Sequence, residues 1–174
     1  MTPHPQRIAR SLVPLALAAA GLGLLPGCAS SPAGGHLAQF DLLLRGANSA
    51  NAVALAVTPP QVRLGETVAL QIGSAQPGYL YVYQISSEGQ TLSLVFPNAI
   101  DGANRLPGGA VTTTLPRPTW RMTAKGPAGI GYFLAVVSQQ PQDLNRIAAG
   151  VAQNSISVDG AYGAAMATLR EVTP

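Results

Sequence analysis

Short apolar runs separated by glycine and proline constrain the fold of this chain most. Eight such runs cover residues 53–57, 67–72, 79–85, 92–96, 111–115, 119–124, 130–138 and 164–172. Strands at this spacing, with turn residues between them, are typical of β-sandwiches and barrels. We therefore predict a mainly β fold, an antiparallel β-sandwich of about seven to nine short strands.

Three segments add detail to this prediction. Residues 119–124 alternate most clearly, with Trp120 and Met122 on one face and Arg121 on the other. Residues 79–85 are apolar on both faces, which is typical of a central strand covered on both sides. Residues 40–44 fit either a strand or a helical turn.

One short C-terminal helix is expected over residues 143–153. Apolar residues at 144, 147, 148 and 151 recur at helical spacing, and Pro141 precedes the first turn. A glycine at position 150 weakens this helix by about 1 kcal/mol relative to alanine.

The N-terminus reads as a secretory signal. Residues 1–10 contain Arg7 and Arg10 but no acid, and an uncharged run rich in Leu and Ala follows to residue 25. That run is about 15 residues long, short of the roughly 20 that span a bilayer. We predict a signal peptide over residues 1–27, a lipidated cysteine and flexible tether over 28–38, and a single sandwich domain over 39–174.

The segment Leu-Pro-Gly-Cys that ends at Cys28 resembles the lipobox of bacterial lipoproteins. The resemblance implies cleavage after Gly27, a diacylglycerol thioether on the Cys28 sulfur and acylation of the new amino group. Cys28 is the only cysteine, so lipidation would consume the only thiol. No Asp follows at positions 29 and 30, which by similarity to Gram-negative lipoproteins favours the periplasmic face of the outer membrane. Exposure of the protein on the outer surface of the cell stays open as an alternative. No cofactor is expected apart from the covalent lipid on Cys28.

Charge and composition exclude several functions. Removal of residues 1–27 takes away Arg7 and Arg10 and leaves eight basic and seven acidic residues, without a basic cluster. Nucleic-acid binding needs a basic patch or stripe and is therefore not expected. The glycines of residues 126–131 lead into a strand, and no Lys-Ser/Thr pair follows, so nucleotide binding is not expected either.

Catalytic groups are scarce in the mature chain. Its one histidine, His36, falls in the predicted tether, and its one cysteine is assigned to the lipid. A Ser-His-Asp triad, a Cys-His pair and a histidine-rich metal site are therefore not expected. The carboxylates are scattered singly, mostly in turns, and we expect no enzyme activity.

Residues 62–144 carry a family resemblance. Matching motifs lie in order at residues 63–68, 78–83, 94–98, 104–108 and 126–138, and include GYLYVY, LVFPN, NRLPG and YFLAVVS. This stretch resembles a bacterial extracytoplasmic family catalogued as domain of unknown function 4384. The resemblance implies an envelope β-sandwich, found alone on lipoproteins or fused to other modules. It implies no catalytic residue and no ligand.

Two surfaces are candidate binding sites. The loop after Pro97 carries Asn98, Asp101, Asn104 and Arg105, and it either recognises a partner or covers the core with Arg105 paired to Asp101. A second set, on one face of a single strand, comprises Tyr79, Tyr81 and Tyr83. If exposed, these rings would stack on sugars, whereas their ordinary use is packing.

Together these features predict a lipid-anchored, non-catalytic envelope lipoprotein. We expect its domain to bind or scaffold an envelope protein partner, as an accessory to a secretion or other envelope complex. The expected contact surfaces are the loop at residues 98–105 and the helix after Pro141. The alternative is a lipoprotein that binds peptidoglycan or another glycan through the tyrosine face.

Overall fold

A computed structural model describes residues 32–174, which form two β-sheets and two α-helices. The helices are α1 (Pro32–Gly46) and α2 (Leu144–Ala152), with a 3-10 turn at Ser49–Asn51. The strands are β1 (Val53–Thr58), β2 (Gln61–Arg63), β3 (Ala69–Ser74), β4 (Gly78–Ile85), β5 (Leu92–Phe96), β6 (Arg105–Leu106), β7 (Thr112–Leu115), β8 (Gly129–Ser138) and β9 (Tyr162–Val172). Among these residues, no helix is long and apolar enough to span a bilayer. The predicted signal peptide and Cys28 lie outside the described residues.

The two sheets confirm the predicted mainly β sandwich. The smaller sheet has the order β1-β3-β7, and the larger has the order β2-β9-β8-β4-β5, with β6 paired to the start of β4. All pairs are antiparallel except β2 with β9, where Gln61 lies opposite Arg170 in a parallel register. Residues 61–63 and 105–106 are too short to show a strand pattern in the sequence.

The main core lies between the two sheets. Leu70 and Ile72 of β3 face Leu80 and Val82 of β4, and all four are fully buried, as is much of the apolar inner face around them. Alternation along each strand places these side chains inward and the polar ones outward. Burial of each such side chain contributes roughly 1.5–3 kcal/mol to stability.

A second core lies on the outer face of the larger sheet, where α1 and α2 cover its central strands. Phe40 of α1 and Ile147 of α2 pack with Tyr81 and Tyr83 of β4. Because β4 is covered on both faces, its residues are buried almost continuously. This confirms the prediction that residues 79–85 form a central strand.

The flexible tether predicted for residues 28–38 is wrong over residues 32–38, which begin α1. The fold therefore contains two helices, and the ambiguous residues 40–44 are helical. Composition at the start of the segment favoured flexibility, but Leu37, Phe40 and Leu44 recur at helical spacing and pack onto the sheet. Even His36 is buried, with its Nδ1 3.1 Å from the carbonyl oxygen of Gly89.

The strand predicted at residues 119–124 is also absent from the described fold. Only an isolated bridge joins Thr123 to Thr67. Three backbone hydrogen bonds hold this segment against the loop before β3: Gly65 N to Ala124 O at 2.8 Å, Ala124 N to Glu66 O at 3.0 Å and Val68 N to Met122 O at 2.9 Å. The N–H of Trp120 donates to the carbonyl oxygen of Arg117 at 3.1 Å in a local turn, so no continuous strand forms there.

Helix α2 confirms the predicted C-terminal helix. The side chain of Asp143 caps it by accepting hydrogen bonds from the backbone N–H groups of Asn145 at 2.8 Å and Arg146 at 3.4 Å. An Asp at this position satisfies donors that have no partner within the helix and is favourable near its positive end.

Candidate functional site

The loop from β5 to β6 begins with a fixed turn at Asn98. Its Oδ1 accepts hydrogen bonds from the backbone N–H groups of Ile100 at 3.0 Å and Asp101 at 2.9 Å. Its Nδ2 donates to the carbonyl oxygen of Val95 at 3.1 Å. An Asn that bonds its own backbone two residues on is a common turn device, and here it ends β5.

Asp101 connects this loop to the segment after β7. Its Oδ1 lies 2.5 Å from Nη1 of Arg117, and its Oδ2 accepts from the indole N–H of Trp120 at 3.2 Å. The other guanidinium nitrogen, Nη2, donates to the carbonyl oxygen of Ala103 at 2.8 Å, and the guanidinium lies over the Phe96 ring, 5.3 Å from its centre. The loop is thereby tied to the neighbouring segment at two separate points.

Arg105 does not pair with Asp101, so the ion pair considered in the sequence is wrong. Arg105 begins β6 and lies instead over the ring of Tyr79, with its carbon Cζ 5.3 Å from the ring centre and its Nη1 3.1 Å from the hydroxyl oxygen. Register explains this, because β6 pairs with the start of β4 and places Arg105 directly opposite Tyr79.

Asn104 fixes the far end of the loop. Its Nδ2 donates to the carbonyl oxygen of Leu80 at 3.2 Å, and its own carbonyl oxygen accepts from the N–H of Leu80 at 2.8 Å. Three of the four predicted site residues, Asn98, Asp101 and Asn104, therefore hold the loop in shape. Of the four, only Arg105 is exposed.

The exposed apex of the loop is apolar, which the sequence analysis missed. Ile100 is 68% exposed, and Ala99, Gly102 and Ala103 beside it are also exposed. The sequence does show this feature, because Ile100 lies between the turn-forming residues Asn98 and Asp101. An exposed aliphatic side chain on a braced loop is suited to entering a pocket on another molecule.

The alternative of an exposed tyrosine row is wrong, because these side chains pack as such a row ordinarily does. Tyr81 and Tyr83 are 2% and 1% exposed because α1 and α2 cover this face of the sheet, and only Tyr79 is half-buried. The hydroxyl of Tyr81 accepts a hydrogen bond from the backbone N–H of Gln142 at 2.7 Å. Burial, and secondarily the neighbouring Tyr81, raises the pKa of the Tyr83 hydroxyl above its usual range.

Helix α2, the second expected contact surface, presents a mixed face. Leu144 at its start is 48% exposed, while Arg146 forms an ion pair with Asp159 on the following loop. The pair is exposed on both sides and adds little stability. Only Ile147 is buried beneath the helix, so most of its surface is open to contact.

A groove of about 540 Å³ opens between the end of β4, the start of β5 and residues 120–126. Its lining combines hydroxyl, amide and charged groups with the side chains of Trp120 and Met122. Glu171 is buried in its wall, with Oε1 3.5 Å from the backbone nitrogen of Gly126. Within residues 32–174, no group of three or more His, Cys, Asp or Glu side chains is placed to hold a metal ion.

Comparison with known proteins finds a similarity to one family over part of the chain. Residues 61–141 match the family described as Domain of unknown function (DUF4384), from the first residue of β2 to just beyond β8. The match includes the candidate loop and its Arg117 and Trp120 contacts. No curated protein matches the chain. Residues 61–141 are therefore similar to that family, with α1 and β1 before the matched stretch and α2 and β9 after it.

Proposed function

We propose that this protein is a lipid-anchored, non-catalytic lipoprotein of the bacterial envelope. Its sandwich acts as a binding or scaffolding adaptor for an envelope protein partner, accessory to a secretion or other envelope complex. Its place is the periplasmic face of the outer membrane. The observation that carries the proposal is the lone Cys28, which follows a signal-like apolar run and a lipobox pattern.

The acyl chains supply the attachment. Each buried CH₂ contributes about 0.8 kcal/mol, so two or three chains on one cysteine hold a protein of this size firmly at a membrane. Confinement to a surface raises the local concentration of the domain toward partners in the same membrane. Weak contacts then become effective without a large interface.

The braced loop supports the adaptor role. Asp101 and Asn104 hold it by hydrogen bonds to the segment after β7 and to β4, so its apex is ordered before any partner arrives. A pre-ordered loop loses little conformational entropy on binding, which favours affinity. Ile100 and Arg105 are the side chains most available for contact.

The glycan alternative loses its main support. A carbohydrate platform needs exposed aromatic faces, and Tyr81 and Tyr83 are buried beneath the helices. The third residue, Tyr79, is half-buried against Arg105. No described observation favours stacking on sugars over packing.

Replacement of Cys28 by Ser tests the anchor. We expect the wild-type protein in the outer-membrane fraction with acyl chains on Cys28 by mass spectrometry, and the Cys28→Ser variant in the soluble periplasmic fraction. Retention of that variant in the membrane, or an unmodified Cys28 in the wild type, would overturn the lipoprotein proposal.

Photo-crosslinking from the loop tests the adaptor role. A photoreactive amino acid at Ala103, exposed beside Ile100, should capture a discrete envelope protein in living cells. The same probe at exposed Gln61, on the far edge of the larger sheet, is the matched control and should not capture that protein. Failure to capture any protein from Ala103, together with pull-down of the domain by isolated peptidoglycan, would favour the glycan alternative.

A further inference from the structure

Strand register brings several chain segments together at one end of the domain. Ile85, the last residue of β4, lies opposite both Leu92 and Tyr132, so the turn at residues 86–91 projects beyond this end. Gly129 at the start of β8 pairs with Glu171 near the end of β9. We call this the anchor end, formed by residues 63–66, 86–91, 121–129 and 170–172.

Side-chain and backbone bonds hold these segments to one another. Ser87 Oγ donates to the carbonyl oxygen of Pro127 at 2.5 Å. The N–H of Leu64 donates to the carbonyl oxygen of Val172 at 3.0 Å, and that of Gly65 to Ala124 at 2.8 Å. The anchor end is therefore one continuous surface.

Helix α1 starts at the anchor end and runs toward the opposite one. Near its start, Nδ1 of His36 lies 3.1 Å from the carbonyl oxygen of Gly89 in the 86–91 turn. Near its finish, the hydroxyl of Tyr162 donates to the carbonyl oxygen of Leu43 at 3.1 Å. Tyr162 pairs with Ser138, the last residue of β8, at the opposite end of the sheet.

The length of chain before α1 limits where a lipid on Cys28 can lie. Cys28 precedes Pro32 by four residues, which span at most about 14 Å when fully extended. Strand β8 alone has ten residues and is about 33 Å long. The acylated residue is therefore held near the anchor end and cannot reach the opposite one.

Of the five cations without an ion-pair partner in the described chain, Arg105 lies at the opposite end and the other four lie at the anchor end. The four exposed residues at the anchor end are Arg63, Arg121, Lys125 and Arg170. Three other arginines, Arg45, Arg117 and Arg146, each pair with an Asp elsewhere on the domain. The carboxylates at the anchor end are Glu66 and Glu88, which are exposed, and the buried Glu171, so cations dominate its exposed surface.

We propose that the anchor end lies against the anionic headgroups of the bilayer that holds the acyl chains of Cys28. This inference rests on the proposed lipidation and adds an orientation to it. Phosphate groups face Arg121 and Lys125, because cations near an anionic membrane surface are attracted to it within about one Debye length. Arg105, opposite Tyr79 at the other end of β4, then faces away from the membrane, toward a partner.

Depth measurement with spin labels tests the orientation. The lipidated protein would be placed in vesicles of phosphatidylethanolamine and phosphatidylglycerol, with a label on Gln90→Cys or Gln76→Cys. Both glutamines are exposed, one at the anchor end and one just before β4 at the opposite end. Cys28 does not compete for the label, because its sulfur carries the lipid.

We expect the collision rate of a water-soluble nickel chelate with the label at position 90 to be about one third, or less, of its rate at position 76. The reason is that the two sites differ in height above the membrane by about one strand length. Equal accessibility, or the reverse order, would overturn the orientation. Mass spectrometry of the Cys28 peptide separates this result from a failure of the anchor. An unacylated Cys28 refutes the proposed function, whereas an acylated Cys28 with equal accessibilities refutes only the orientation.

Charge removal tests the headgroup contact. The double substitution Arg121→Gln and Lys125→Gln should raise nickel access at position 90 by about twofold, as should high salt, because both weaken attraction to the anionic surface. Arg105→Gln, at the opposite end, is the control and should leave that access unchanged. No change with the double variant, or an equal change with Arg105→Gln, would show that these cations do not contact headgroups.

Discussion

Arg117 donates through Nη1 to Oδ1 of Asp101, a carboxylate whose side chain is only 7% exposed. This pair joins the loop after β5 to the segment after β7, two connections that lie 16 residues apart in sequence. Trp120 donates to the second oxygen of the same carboxylate. The loop proposed to bind a partner is therefore braced by contacts outside itself.

Asp101→Asn should destabilise the protein by about 1–3 kcal/mol, because the partly buried Arg117 guanidinium loses its counter-charge. Urea unfolding followed by circular dichroism would measure the loss. Asp41→Asn is the matched control, since Asp41 pairs with Arg45 where both side chains are more than half exposed. The Asp41→Asn substitution should lower the free energy of unfolding by about 0.5 kcal/mol or less. Equal losses for the two variants would contradict the bracing role.

Phe40→Ala should cost about 3–5 kcal/mol, because the ring is fully buried between α1 and the larger sheet and its loss leaves a cavity. Leu42→Ala removes a side chain of the same helix that is 67% exposed and should cost well under half of that. Thermal unfolding of both variants would measure the difference. If Phe40→Ala leaves the unfolding temperature unchanged, α1 is not part of the folded domain.

Much of the sandwich was predictable because a strand has a local pattern of apolar residues bounded by turn residues. The runs at residues 79–85, 92–96 and 130–138 contain strands in the structure, and Asp143 marks the start of α2. Residues 119–124 show the limit of this approach. Trp120 and Met122 alternate with Arg121 because the segment has one side that is more buried and one that is exposed. An irregular extended segment shows the same alternation as a strand, so this pattern alone does not distinguish the two.

The candidate site was predictable in place but not in detail. The sequence located the loop at residues 98–105, but pairing across it depends on tertiary contacts. Arg117 reaches Asp101 because β7 lies in the other sheet, while register takes Arg105 to Tyr79. Similarly, Tyr81 and Tyr83 share one face by alternation, but only the positions of α1 and α2 decide that this face is buried.

Gly163→Ala should destabilise the domain by about 3 kcal/mol or more, because overpacking beside a rigid backbone forces strands apart. A Cβ at this position would lie 1.7 Å from the carbonyl oxygen of Asn51, where β9 passes the start of β1. Gly102→Ala is the control, since no atom lies within 4 Å of its added Cβ. Chemical denaturation should show little change for the control. A mild effect of Gly163→Ala would contradict the close contact between β9 and residue 51.

Tyr83 should make stability fall in alkaline solution. Burial raises the pKa of its hydroxyl, so the unfolded chain, with a tyrosine pKa near 10, loses its proton first. Its contribution is fully present below about pH 10 and declines as the pH rises toward the higher pKa of the folded state. The free energy of unfolding of Tyr83→Phe should therefore decline less between pH 9 and pH 11 than that of the wild type. Parallel declines in urea titrations would contradict this account.

Ile100→Ser should abolish or strongly reduce capture of the envelope partner by the crosslinker at Ala103. The side chain is 68% exposed at the apex of the braced loop, so its removal should change stability by about 0.5 kcal/mol or less while deleting an apolar contact. Ile130→Ser is the matched control, because Ile130 is 42% exposed on β8 at the anchor end, away from the proposed partner. Its crosslinking yield should match the wild type. Equal yields from both variants would show that the partner does not contact the apex, and equal losses would indicate a general effect on folding or export.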